Sequence, residues 1–178
     1  MALPSGNAVD QSVRSAIIVT SPGERIRIRI SNRYGDAVLR IGHVEVAQES
    51  SGPSVVVGSS RSVHFAGRPG ALVQAGAELV SDPLRFAVQA GEQLAISVYV
   101  RSSGRVTFHK SASGMSYLTQ PGTGDQTGDE AGSTYTRTAA SWFWMAGVDT
   151  ESSLAGTIVA LGDSITDGYL LLPDQQET

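Results

Sequence analysis

Residues 25–30 read Arg25-Ile26-Arg27-Ile28-Arg29-Ile30. A helix would scatter these isoleucines around its circumference. Successive side chains of a strand point to opposite faces, so a strand sorts three Ile to one side and three Arg to the other. The chain must therefore contain a half-buried strand, in a sheet with one dry and one wet face. The run stops at Asn32-Arg33-Tyr34-Gly35-Asp36, a turn composition. Beyond it, Leu39 and Ile41 lie in one phase and Val44 and Val46 in the other. A strand that keeps one face inward needs an extra residue between them, which predicts a β-bulge at Gly42-His43.

The same strict alternation recurs in Leu94, Ile96, Val98 and Val100, and shorter runs predict strands over residues 62–65, 71–74, 84–88, 106–109 and 141–148. Gly52-Pro53, Arg68-Pro69-Gly70, Asp82-Pro83 and Ala90-Gly91 separate them at the spacing of an all-β sandwich, and no helical stripe competes. The expected fold is all-β: a jelly-roll-like antiparallel β-sandwich over residues 11–150, after a tail at 1–10. With 178 residues, 40% of them apolar and 17% charged, the chain can form a core and does not have the composition of a disordered polymer.

Composition also narrows function. Thirteen basic against 17 acidic residues, net charge −4, argue against nucleic acid as a partner. The longest apolar runs, Ala16-Ile17-Ile18-Val19 and Thr157-Ile158-Val159-Ala160-Leu161, fall far short of the ~18 residues of a membrane helix. The absence of Cys excludes disulfides, thiolate metal sites and Cys nucleophiles. Met1-Ala2-Leu3-Pro4-Ser5 has neither the basic start nor the apolar stretch of an export signal. Residues 119–137, with Gly122, Gly124, Gly128, Gly132, Asp125, Asp129 and Glu130, read as a long surface loop; the ligand alternation of an EF-hand is missing, so no metal is expected. Arg25, Arg27 and Arg29 read as a solvated sheet face. In Trp142-Phe143-Trp144-Met145, regular alternation places Trp142 and Trp144 on one face and Phe143 and Met145 on the other. One face of a strand apolar on both sides meets something besides the sandwich interior: core or interdomain packing is the commoner fate of such rings, and stacking on a sugar is the other.

After Glu151-Ser152-Ser153, a linker over 151–156, the pattern changes. Thr157 to Leu161 is continuously apolar, as a strand buried on both faces reads, and Gly162-Asp163-Ser164-Ile165 then Thr166-Asp167-Gly168 follow directly. This block resembles the first sequence block of the SGNH/GDSL hydrolases, and the upstream sandwich resembles the N-terminal β-domain of some bacterial members. The resemblance implies a carboxylic-ester hydrolase of esterase or lipase type, working through an acyl-enzyme without a cofactor. Ser164 matches the nucleophile, its backbone N–H would serve an oxyanion hole, and Gly162 and Asp163 would shape the loop. It implies an ester substrate, an acylated carbohydrate among the candidates. The later blocks of the family, including the Asp-x-x-His that carries acid and base, do not occur in the chain, and His43, His64 and His109 all precede Ser164 as surface or edge-strand imidazoles. The expectation is a hydrolase domain truncated after its first block, from residue 157 to 178, inactive alone and open to self-association through an uncovered surface. The alternative is a carbohydrate-binding or accessory sandwich without catalysis.

Overall fold

A computed structural model describes residues 6–110, 112 and 114–152. The described residues form fourteen strands and no helix: β1 (Asn7–Ile18), β2 (Gly23–Ser31), β3 (Leu39–Ser51), β4 (Ser54–Val55), β5 (Arg61–Ser62), β6 (Ala71–Val73), β7 (Glu78–Val80), β8 (Leu84–Val88), β9 (Gln93–Arg105), β10 (Phe108–Lys110), β11 (Ser116–Leu118), β12 (Arg137–Ala139), β13 (Ser141–Phe143) and β14 (Met145–Thr150). The all-β expectation holds. β1 begins at Asn7, inside the segment read as a tail.

The larger sheet runs β12-β11-β1-β9-β3-β4, with β5 and β6 also pairing along β3. The smaller one runs β14-β2-β7, with β8 also on β2, and β10 with β13 forms a separate two-stranded ribbon. All pairings are antiparallel, as one-wet-face alternation requires.

The alternating runs build the core. Ile26, Ile28 and Ile30 of β2 are buried and Arg25, Arg27 and Arg29 exposed. These isoleucines share one apolar cluster with Leu39, Ile41, Val44 and Val46 of β3 and Leu94, Ile96, Val98 and Val100 of β9. Each such side chain contributes roughly 1.5–3 kcal/mol on burial. The predicted bulge is present: Ile41 pairs with Val100 but His43 with Tyr99, so Gly42 is the extra residue. It lets Val44 and Val46 keep facing the core and turns His43, Glu45, Ala47 and Glu49 to the outer face of the large sheet.

The Trp142–Met145 reading needs correction. Trp144 sits at φ 57°, outside both β13 and β14. Its N–H donates to the Thr107 carbonyl and its own carbonyl accepts from Ser31 N–H, so the chain turns there from the ribbon into the small sheet. That kink breaks the alternation. Phe143, Trp144 and Met145 are all buried, and Trp144, 1% exposed, offers no ring to a ligand or a second domain.

Candidate functional site

The outer face of the large sheet is covered in part by the loop of residues 119–136, which joins β11 to β12. An arginine on β1 holds the loop down. Arg14 is 1% exposed. Its Nε donates to Ser97 Oγ at 2.7 Å, Nη1 to the carbonyls of Pro53 and Asp129, and Nη2 to that of Thr127. The guanidinium carbon lies 4.4 Å from the centre of the Tyr135 ring. Burial pushes the Tyr135 hydroxyl up to about 12, against the pull of Arg14, so it stays protonated and donates to the Gln126 carbonyl at 3.0 Å.

Among the loop's carboxylates, Asp129 is spent on the loop's own shape, Asp125 both shapes the loop and reaches β3, and Glu130 accepts from Gly58 N–H. Asp129 accepts from the N–H groups of Gly132 and Thr134 and from the hydroxyls of Ser133 and Thr134. Burial alone would raise its pKa; those hydrogen bonds outweigh burial and hold it below the usual carboxylate range. Asp125 accepts from Thr127 N–H and Oγ1–H and reaches His43. Among the described residues no three His, Asp or Glu converge as a metal site would need.

Beyond the covered part, the same outer face opens into a groove of about 150 Å³, lined by Trp142, Tyr117, Glu49, Gln93, Met115 and Ile18 among others. Trp142 is half-buried there; its Nε1 donates to the Ala16 carbonyl at 3.1 Å and its ring centre lies 6.2 Å from that of His109. Gly114 permits this approach, because a Cβ at that position would collide with the Ala16 carbonyl. Burial raises the Glu49 carboxyl above its ordinary range, and Oε2 is buried without a hydrogen-bond partner. Burial, and then the charge of Glu49, raise Tyr117 as well. The groove thus combines an aromatic wall with an under-solvated carboxyl, a phenol and an amide, groups able to bind a polyhydroxylated ring.

Of the candidate site residues read from the sequence, Trp142 lies in this groove and Trp144 is in the core. Ser164, Gly162 and Asp163 lie outside the described residues. The arginine stripe is exposed: Arg29 Nε faces both oxygens of Asp149 at 2.8 and 2.9 Å, and Arg25 lies 3.6 Å from Glu151. His64 is exposed and His109 stands beside Trp142. Glu49, Tyr117, Gln93 and Arg14 escaped the sequence reading. Arg14 alone leaves a local trace, a charge beside Val13 and ahead of the apolar Ala16-Ile17-Ile18 run. Comparison with protein-family models and with curated proteins gives no match.

Proposed function

We propose that the sandwich is the jelly-roll-like N-terminal portion of an SGNH/GDSL-type carboxylic-ester hydrolase whose nucleophile is Ser164. The observation that carries this reading is the Gly162-Asp163-Ser164-Ile165 block directly after the apolar run at 157–161. An all-β domain ending in β14 at Thr150 supports it, since it leaves a short linker before that run. In the reaction, Ser164 Oγ attacks the ester carbonyl carbon, the alcohol departs with a proton, and water releases the acid from the acyl-serine. The acid and base would come from an Asp-x-x-His, which the chain does not contain. The chain alone is accordingly expected to hydrolyse an activated acetyl ester no faster than its Ser164→Ala variant; Ser164-dependent turnover would refute that expectation. The family reading is checked on the coding DNA: an Asp-x-x-His in any frame downstream supports it, and none in all three frames counts against it.

A second reading rests on the groove. Trp142, Tyr117, Gln93 and Glu49 together suit a sugar ring, whose apolar C–H face packs on indole while its hydroxyls meet carboxyl and amide. In this reading the domain is a carbohydrate-binding or accessory module. Calorimetry with neutral oligosaccharides tests it: binding abolished by Trp142→Ala supports it, and no heat from any glycan sinks it.

A further inference from the structure

We propose that Ser62, His43 and Asp125 form a second nucleophilic centre, on the outer face of the large sheet and independent of Ser164, which takes acyl groups from activated neutral or cationic esters. Three separate elements bring the groups together. The Gly42 bulge in β3 aims His43 outward. Edge strand β5 supplies Ser62, diagonal to His43 because Ser62 pairs with Glu45. The loop pinned by Arg14 supplies Asp125.

The hydrogen bonds run in one direction. His43 Nδ1 lies 3.0 Å from Asp125 Oδ2 and 2.9 Å from Thr127 Oγ1. Thr127 Oγ1–H already points to Asp125 Oδ1 at 2.7 Å, so both oxygens facing Nδ1 are acceptors. In the neutral ring Nδ1 must then carry the proton and Nε2 the lone pair. Ser62 Oγ is 3.0 Å from Nε2, so its hydroxyl donates to the ring. Nucleophile, base and orienting carboxylate thus stand in the order that activates a serine. His43 is 25% and Asp125 38% exposed, which leaves a reagent access. The β5–β3 register also directs the Ser62 N–H away from β3, toward an edge on which no other described strand pairs, where it can face a developing oxyanion.

In the step, Ser62 Oγ bonds to the carbonyl carbon as its proton passes to His43 Nε2. The C–O bond to the alcohol breaks, the alcohol leaves with that proton, and water later releases the acid by the reverse proton path. The charged and titratable groups around His43 are Glu45 on its own strand, Tyr99 and Arg101 on β9 with Asp10 bonded to Tyr99, and Asp125 on the loop. Glu45 Oε1, 3.9 Å from Nε2, places a carboxylate beside the reacting groups and repels acidic acyl groups, hence the neutral or cationic substrate.

The test is covalent labelling of the full chain with a fluorophosphonate and with an activated acetyl ester, the modified residue located by fragmentation of its peptides. Label on Ser62 that persists in Ser164→Ala and is lost in Ser62→Ala is the expected result. Labelling of Ser62 should slow roughly a hundredfold in His43→Gln. Asp125 acts through His43 as a positioning residue, so Asp125→Asn should slow labelling of Ser62 in a protein whose circular dichroism is unchanged, and Asp125→Glu, which restores the acceptor, should recover part of the rate. A folded protein, by circular dichroism, that takes no label at Ser62 overturns the proposal. So does an unchanged labelling rate in His43→Gln. Label at Ser164 is read on a different peptide, so this proposal and the hydrolase reading fail separately.

Discussion

Arg14 is a buried cation whose four hydrogen bonds all go to neutral oxygens, three of them backbone carbonyls. The planar fork reaches Ser97 on β9, Pro53 beside β4, and Asp129 and Thr127 in the loop at once, which the single ammonium of lysine cannot do. Replacing it with Met keeps the packing stem but leaves these acceptors buried without donors, at a cost of about 3–5 kcal/mol. Urea denaturation of Arg14→Met should show that loss, and limited proteolysis should find new cleavage within residues 119–136. Arg14→Lys should recover only part of it. Unchanged stability in both variants would mean that the loop holds itself down without the guanidinium.

At the scale of elements, the bulge in β3 lets one strand serve the core and the outer face in the right phase. Gly42 is required by close approach and not by a left-handed backbone: a Cβ there would meet the Tyr99 ring at 2.5 Å. Gly42→Ala should therefore push the ring off its 2.6 Å hydrogen bond to Asp10 and cost about 1–3 kcal/mol in thermal melts. In Tyr99→Ala the same substitution should cost distinctly less, since the obstacle is gone. This bulge was legible in the sequence because Leu39, Ile41, Val44 and Val46 change phase across it, and β2 and β9 were legible by plain alternation. β1 was not: Gln11 through Ser15 are all buried, the sheet's core on one side and the loop on the other, and polar Gln11, Ser12, Arg14 and Ser15 fall on both faces, so no polar/apolar alternation marks the strand. β4, β7, β11 and β12 have two or three residues, too short for a period. The turn at Trp144 has no signature either, since a positive φ is ordinarily announced by Gly or Asn. The groove was invisible for a topological reason: Glu49, Tyr117 and Trp142 come from three strands distant in sequence, and spacing carries information only within an element.

For the whole molecule, two kinds of carboxyl set the acid response. Asp36, held below its usual range first by the Arg105 backbone N–H, and Asp129, whose hydrogen bonds outweigh burial, contribute stability above the unfolded carboxylate range that is lost as pH falls through their lowered values. Glu49 is opposite in sign. Burial raises its folded pKa, so its contribution is complete below the unfolded value and is lost as pH rises through the folded one. Glu49→Gln should therefore raise the urea midpoint near pH 7 and leave it unchanged near pH 3; an equal gain at both would trace to packing. The pairing of β2 with β14 has a consequence for synthesis. Arg29 and Asp149, bonded across the small sheet, lie 120 residues apart. At ~5–20 residues per second a ribosome leaves β2 without this neighbour for roughly 6–24 s. Through that interval the isoleucine face of β2 lacks its last partner strand, which makes the nascent chain the form of this protein most in need of a chaperone.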